Sequence, residues 1–344
     1  IIMKRYIYCL FVISCMFLKG YCAGGDWRVY ASYHNAENVV EMNGVVYVTS
    51  NGGLFSYDPQ DMGVNTYDKS NVLSDNEIYG ISVCRTTNEL VIVYDNGNID
   101  IMDGDGDVYN IPDLKMKALD DKTINDMVID GQMLYLSLNS GIVCVDVKKK
   151  GFGNFYILGY VVMSVVVDDG TIYAATKNGI YSGDMSKNLL DVSTWTLMNG
   201  TVLNKIMNLN GSIYALSNSG LFSVVKNTFA TNKLSGVKFT NWSICNDVLY
   251  LTGAKTLASI DSAGKFVSFG SSNVNALVYH NGDFWAACGN EGLKALKIDG
   301  TSVEETVSSV IPNSPVRNYS YKIQMTPEGG LLVAGGAFNY PPQD

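Results

Sequence analysis

Short apolar runs recur along this chain, each interrupted by Asn-Gly, Asp-Gly or a similar polar pair. Three stretches align without a gap: Asn43–Leu54, Asp169–Ile180 and Asn210–Leu221. Each reads as a polar turn, an apolar run with a central Tyr, a second turn rich in Asn and Gly, and a further apolar residue. Looser copies centre on Ile92, Tyr135, Tyr250 and Trp285. The central positions are then Tyr47, Ile92, Tyr135, Tyr173, Tyr214, Tyr250 and Trp285, spaced by 45, 43, 38, 41, 36 and 35 residues. An incomplete eighth copy covers 328–336. A period near forty residues marks a repeat architecture whose units bury their faces only by stacking.

One unit predicts four strands. An apolar run such as Val165-Val166-Val167 is the first (A), short and continuous as a strand buried on both faces should be. Asn-Gly or Asp-Gly then closes a two-residue hairpin, because both central positions take positive φ. This turn is expected at Asn43-Gly44, Asp130-Gly131, Asp169-Gly170, Asn210-Gly211 and Asn281-Gly282. Strand B carries the central residue, strand C follows the second turn, and a more polar strand D ends the unit. Four meandering strands per forty residues make one blade of a β-propeller. The fold class expected is therefore all-β: a seven-bladed β-propeller of four-stranded antiparallel blades, with the start of a further propeller or closing blade at the C-terminus. The expected divisions are 1–23, 24–310 for the ring, and 311–344 for the start of the next blade or second propeller. Trp27-Arg28-Val29-Tyr30 is expected to pair with the last blade and seal the ring. The chain is expected to be a fragment of a longer protein.

Composition narrows the function. Of 344 residues, 34 are Gly and 22 are Tyr, and the formal charge is −9. Such an acidic chain argues against nucleic acid as a partner, since binding there needs a basic face. Lys4 and Arg5 precede a 13-residue apolar run, Tyr6 to Leu18, and small residues follow. That pattern predicts a secretory signal peptide over 1–23, hence export to the outer-membrane surface or the periplasm. Removal of Lys4, Arg5 and Lys19 with it takes the charge to −12. Cys84, Cys144, Cys245 and Cys288 remain, each in an apolar run. They read first as buried thiols, with one or two disulfides as the alternative in an exported protein.

Leu73-Ser74-Asp75-Asn76-Glu77-Ile78 and Tyr47–Leu54 resemble the propeller repeat of two-component regulators. Four stretches resemble more specifically the PorZ family, surface proteins of the type IX secretion system of Bacteroidetes: Leu90–Ile101, Asp120–Asp126, Asn139–Val147, and Pro315–Lys322 running into Leu331–Gly336. That resemblance implies a non-enzymatic scaffold without cofactors. It implies binding of anionic lipopolysaccharide or another glycan, and presentation of it to the sortase PorU together with PorV and PorQ. The alternative is the periplasmic glycan-sensing propeller of a hybrid two-component regulator; a propeller glycosidase or lyase is a third class.

Candidate chemistry in the residues is sparse. No catalytic residue, metal ligand or phosphate-binding glycine loop is expected. Asp103-Gly104-Asp105-Gly106-Asp107 has the opening spacing of a calcium loop, but Val108 and Leu114 stand where Gly and Glu are required, so a turn between outer strands is expected. His34 and His280 are the two histidines. Asp261-Ser262-Ala263 resembles an O-glycosylation site of exported Bacteroidetes proteins. The B–C turns should share one face of the disc, which gives Asn51, Asn96, Asn139, Asn178, Asn218 and Asn290 as candidate ligand-binding residues. The competing reading is that Asn stands there because the turn needs a left-handed conformation.

Overall fold

In the computed structural model the residues described are 29–335, apart from 218–219, 226–227, 236–238, 254, 262 and 270–272. The expected signal peptide over 1–23, Asn218 and Ser262 lie outside the described residues. Blade 1 consists of β1 (Ala36–Met42), β2 (Val45–Ser50), β3 (Gly53–Asp58) and β4 (Gly63–Tyr67). Blade 2 follows as β5 (Ile78–Cys84), β6 (Glu89–Tyr94), β7 (Ile99–Met102) and β8 (Val108–Ile111), with the short helix α1 (Asp113–Met116) after it. Blade 3 is β9 (Ile124–Asp130), β10 (Met133–Leu138), β11 (Gly141–Asp146) and β12 (Gly151–Tyr156). Blade 4 is β13 (Val162–Asp168), β14 (Thr171–Thr176), β15 (Gly179–Asp184) and β16 (Trp195–Asn199). Blade 5 is β17 (Lys205–Leu209), β18 (Ser212–Ser217), β19 (Gly220–Val225) and β20 (Thr228–Ser235). Blade 6 is β21 (Asn241–Cys245), β22 (Val248–Gly253), β23 (Thr256–Ile260) and β24 (Phe266–Ser268). Blade 7 is β25 (Ala276–His280), β26 (Asp283–Ala287), β27 (Leu293–Asp299) and β28 (Ser302–Val310). Each blade is a four-stranded antiparallel meander in chain order, and β29 (Ser320–Met325) with β30 (Leu331–Gly335) forms a separate hairpin.

The expected hairpin turns form where Asn or Asp precedes Gly. Asn43, Asp169, Asn210 and Asn281 take φ of 55°, 43°, 51° and 49°, and the following glycines are also positive. Blade 3 departs from the expectation. There Asp130 pairs with Met133, so the central pair is Gly131–Gln132, with positive φ at Gly131 alone. Gly in the first central position defines a II′-type hairpin, which tolerates Gln in the second.

The cores lie between blades rather than within them. Tyr47 packs with Leu90 and Ile81 of blade 2, Tyr135 with Val165 and Ile172 of blade 4, and Tyr250 with Leu277 and Ala286 of blade 7. Each such side chain of strand B faces the following blade. Ile92 does not follow this rule. It packs towards blade 1, whereas Val91 and Val93 face blade 3. The A–B connection of blade 2 has four residues, Arg85–Asn88, since Cys84 pairs with Glu89. Tyr47 stands two places past Val45, the first paired residue of its strand B; the same count from Glu89 gives Val91, and Ile92, one residue further on, points to the other face. Val91 holds the place that an aromatic holds elsewhere.

The ring closes between blades 7 and 1. β1 lies beside β25 and β26, and Ala36 exchanges both backbone hydrogen bonds with Gly289, at 2.9 and 3.0 Å. Trp285 packs against Tyr57 with ring centroids 5.3 Å apart, within a cluster that includes Val46, Phe55 and Ala287. The expected seal by the N-terminal run is corrected here: Val29 and Tyr30 belong to no strand, blade 7 draws all four strands from 276–310, and Trp27 and Arg28 lie outside the described residues. Inner-strand side chains also tie neighbours together. Asn38 Nδ2 donates to Ile81 O (3.2 Å), Asn125 Nδ2 to Val162 O (2.8 Å), and Asn275 Nδ2 to Ala36 O (2.8 Å). Each stitch satisfies a carbonyl on the edge of the adjacent blade.

Candidate functional site

Strand A of blades 1 to 6 lines a central channel of about 750 Å³. Its walls carry Asp126 and Lys205, paired at 3.3 Å, with Ser164 Oγ donating to Asp126 Oδ2 at 2.6 Å and Lys205 Nζ donating to Asn241 Oδ1 at 3.1 Å. At the end bearing the B–C turns, Glu37 and Tyr79 belong both to this channel and to a wider chamber of about 1030 Å³. The chamber lies over blades 1, 2 and 7 and is walled on one side by 316–319, the segment leading to β29.

Its walls are held by named bonds. Ile78 N donates to Gly52 O and Asp95 N to Glu77 O, both at 2.9 Å, which joins the B–C turns of blades 1 and 2. Glu77 takes a φ of 57°, an unusual conformation for a residue other than Gly, Asn or Asp. Asn318 Oδ1 accepts from Ser32 N at 2.6 Å, and Ser32 Oγ donates to Val316 O at 2.9 Å. Glu37, Glu77 and Asp95 face the chamber with His34 and Arg317. Glu37 reaches water through the mouth, yet its protein walls push its carboxyl above the usual carboxylate value. The hydrogen bond from Asn35 opposes that shift, and the charges of Asp95 and Glu77 add to it. Burial likewise pushes the Tyr79 hydroxyl up, with Asp126 and Asp95 adding to it. Among the described residues no group of three His, Cys, Asp or Glu is placed to hold a metal ion.

Of the six asparagines singled out in the sequence, Asn51 and Asn290 line this chamber, and Asn96, Asn139 and Asn178 do not. Asn51 Nδ2 donates to Ser32 Oγ at 3.1 Å. Asn96 Nδ2 donates to Asp75 Oδ2 at 2.8 Å, and Asn139 Nδ2 to Asp121 Oδ2 at 2.8 Å. Those carboxamides hold their own turns. Asn178 is exposed on the turn of blade 4. His34, Glu37, Glu77, Asp95, Arg317 and Tyr319 were not singled out as ligand contacts, because no spacing in the chain joins them. Asp103 accepts from the backbone N–H of Asp105 and Asp107, as a turn between β7 and β8. The four cysteines among the described residues are free and buried, and burial pushes the Cys144, Cys245 and Cys288 thiols up to about 12.

Cationic groups collect elsewhere, on the outer rim of blades 2 and 3. Lys117 Nζ lies 5.8 and 5.7 Å from the ring centroids of Phe152 and Phe155, and Lys150 Nζ lies 5.4 Å from that of Tyr109. Lys149 pairs with Asp146 and Lys150 with Glu89, each at 3.2 Å. Lys117 and Lys148 are exposed and form no ion pair among the described residues.

Residues 46–196 match the family model of the PorZ N-terminal β-propeller domain of the type IX secretion system. Over that stretch, less than half of the chain, the sequence is similar to the PorZ propeller family. The solved structure of PorZ from Porphyromonas gingivalis, described as an essential bacterial surface component of that system, superposes with a TM-score of 0.82 at 24% identity. The superposition covers 92% of this chain and 43% of that one, so the chain spans less than half the length of that PorZ. A structure described as the extracellular domain of a hybrid two component system from B. thetaiotaomicron, BT3049, superposes with a TM-score of 0.58 at 14% identity. It covers 88% of this chain and 50% of that one, and shares the fold alone. No curated protein sequence matches the chain. Both solved relatives are described as surface or extracellular proteins, and among the described residues no helix is long and apolar enough to cross a membrane.

Proposed function

We propose that the chain serves as a non-catalytic, exported scaffold of the PorZ kind, which binds anionic lipopolysaccharide and presents it to the sortase PorU in a complex with PorV and PorQ. The observation that carries this reading is the PorZ family match across blades 1–4, continued by superposition over 92% of the chain. The charge distribution supports it at one place. On a chain of net charge −9, the rim of blades 2 and 3 offers Lys117 and Lys148 free of carboxylate partners. Phosphate groups are drawn to such a local patch, and salt weakens the attraction. The test is binding of purified lipopolysaccharide at low and high salt, with the double variant Lys117→Ala/Lys148→Ala and with co-purification of PorU. Binding that falls at least tenfold in the variant and weakens with salt is expected. Absence of lipopolysaccharide binding by the native protein, or a PorU complex indifferent to lipopolysaccharide, overturns the reading.

A further inference from the structure

The chamber on the B–C face has the wrong charge for phosphate. Glu37, Glu77 and Asp95 face it, against the single guanidinium of Arg317 and the ring of His34. Its volume, about 1030 Å³, is at the upper end for small-molecule sites. Polar groups make up the larger share of its lining; Ile78 is buried beneath the wall and Val316 stands at the rim.

What the walls do offer is hydrogen bonding in both directions. Carboxylates accept, Arg317 donates, and the Asn290 carboxamide does both, being exposed with no side-chain hydrogen bond among the described residues. Two aromatic rings flank these groups, half-buried Tyr79 and exposed Tyr319. Polar groups beside accessible ring faces suit a molecule with hydroxyls around its edge and C–H groups on its faces. The wall is also preorganised. Asn318 and Ser32 fasten the 316–319 segment, and the peptide group that follows Glu77, whose φ is strained, is held by hydrogen bonds at both its carbonyl and its N–H. Strain of that kind persists where the surroundings over-determine it, often at ligand sites. The Glu77 carboxylate also packs over Gly52, where a Cβ would come within 2.7 Å of Oε2.

We propose that this chamber is a saccharide site for a short neutral oligosaccharide, contacted by Glu77, Asn290 and Tyr319. It is distinct from the lysine rim and does not depend on the rim's binding an anionic ligand. The probes are neutral trisaccharides of glucose, mannose, galactose and N-acetylglucosamine, titrated calorimetrically into the full-length protein. The same measurement is made on Asn290→Ala, Tyr319→Ala, Glu77→Gln and Lys117→Ala. At least one neutral trisaccharide binds, and Asn290→Ala and Tyr319→Ala each weaken it tenfold or more with unchanged melting temperature. Glu77→Gln, which keeps the side-chain shape, weakens it severalfold, and Lys117→Ala leaves it intact while weakening lipopolysaccharide. Failure of every trisaccharide to bind, or binding unaffected by Asn290→Ala and Tyr319→Ala, overturns the site; failure of the lipopolysaccharide experiment alone leaves it standing.

Discussion

Gly141 and Gly179 each open a strand C, with φ of 145° and 118°. A Cβ at Gly141 would collide with the carbonyl oxygen of Tyr156, and one at Gly179 with that of Asn199. Backbone obstructs both, so the neighbour has no rotamer to escape by. Gly141→Ala and Gly179→Ala are expected to destabilise by about 2–4 kcal/mol, against about 1 kcal/mol for Gly170→Ala in open space at a turn; chemical denaturation of the three variants checks this order. Asp75 is a second residue with a definite role. Burial opposes its charge, but hydrogen bonds from Lys115, Asn96 and the Asn76 N–H outweigh burial and hold its carboxyl down to about 2. The Lys115 contact is 2.6 Å. A depressed carboxylate stabilises the fold above its ordinary value of 3.8, and that contribution is lost as pH falls towards about 2. Asp75→Asn should therefore cost about 1–3 kcal/mol at pH 7, with the gap closing between pH 4 and 2 in acid unfolding followed by circular dichroism. Asn96 looked like a ligand contact because turn residues and binding residues share one composition; only its partner at 2.8 Å distinguishes them.

At the scale of the strand, large residues meet small ones. Tyr47 stands opposite Ser56, Tyr135 opposite Cys144, Tyr173 opposite Ser182, Tyr250 opposite Ser259 and Trp285 opposite Ala295. Directly opposed side chains share one small space, so a ring on strand B leaves room only for a small partner on strand C. In blade 2 the aromatic is missing and Val91 faces Ile101, two medium residues in place of one large and one small. Ser56→Leu should therefore overpack against Tyr47 and cost about 1–3 kcal/mol, although Ser56 reads as a dispensable polar residue. Trp285→Ala should cost about 3–5 kcal/mol, and hydrogen exchange should rise first in β1 and β25, since this ring spans the closure. The repeat made the strands legible, because period-two alternation and Asn-Gly turns are local. The face of Ile92 was not legible, because the longer 85–88 connection hides where strand B starts to pair, and an error of one residue in that start assigns the wrong face.

At the scale of the molecule, the ring brings together segments far apart in the chain. Ser32 meets Asn318 across 286 residues, and the chamber forms where they meet. Glu37 stands at this junction with its carboxyl pushed up by burial. A raised carboxyl costs nothing below its ordinary value of 4.5 and penalises the fold as pH rises through its shifted value. Glu37→Gln is thus expected to melt higher than the native protein at pH 7 and to match it below pH 4.5, as differential scanning calorimetry would read. By itself the sequence determined the number of blades, the strand order and most of the turn positions, since each depends on residues a few places apart. It also placed Cys84, Cys144 and Cys245 in buried strands, because apolar runs are buried wherever they pack. Which side chains face the channel mouth was decided only by the tertiary structure. Apart from Asn51 and Asn290, which the repeat had marked, His34, Glu37, Glu77, Asp95, Arg317 and Tyr319 lie in different blades and connections, and no local rule joins them until closure of the ring sets blade 7 beside blade 1.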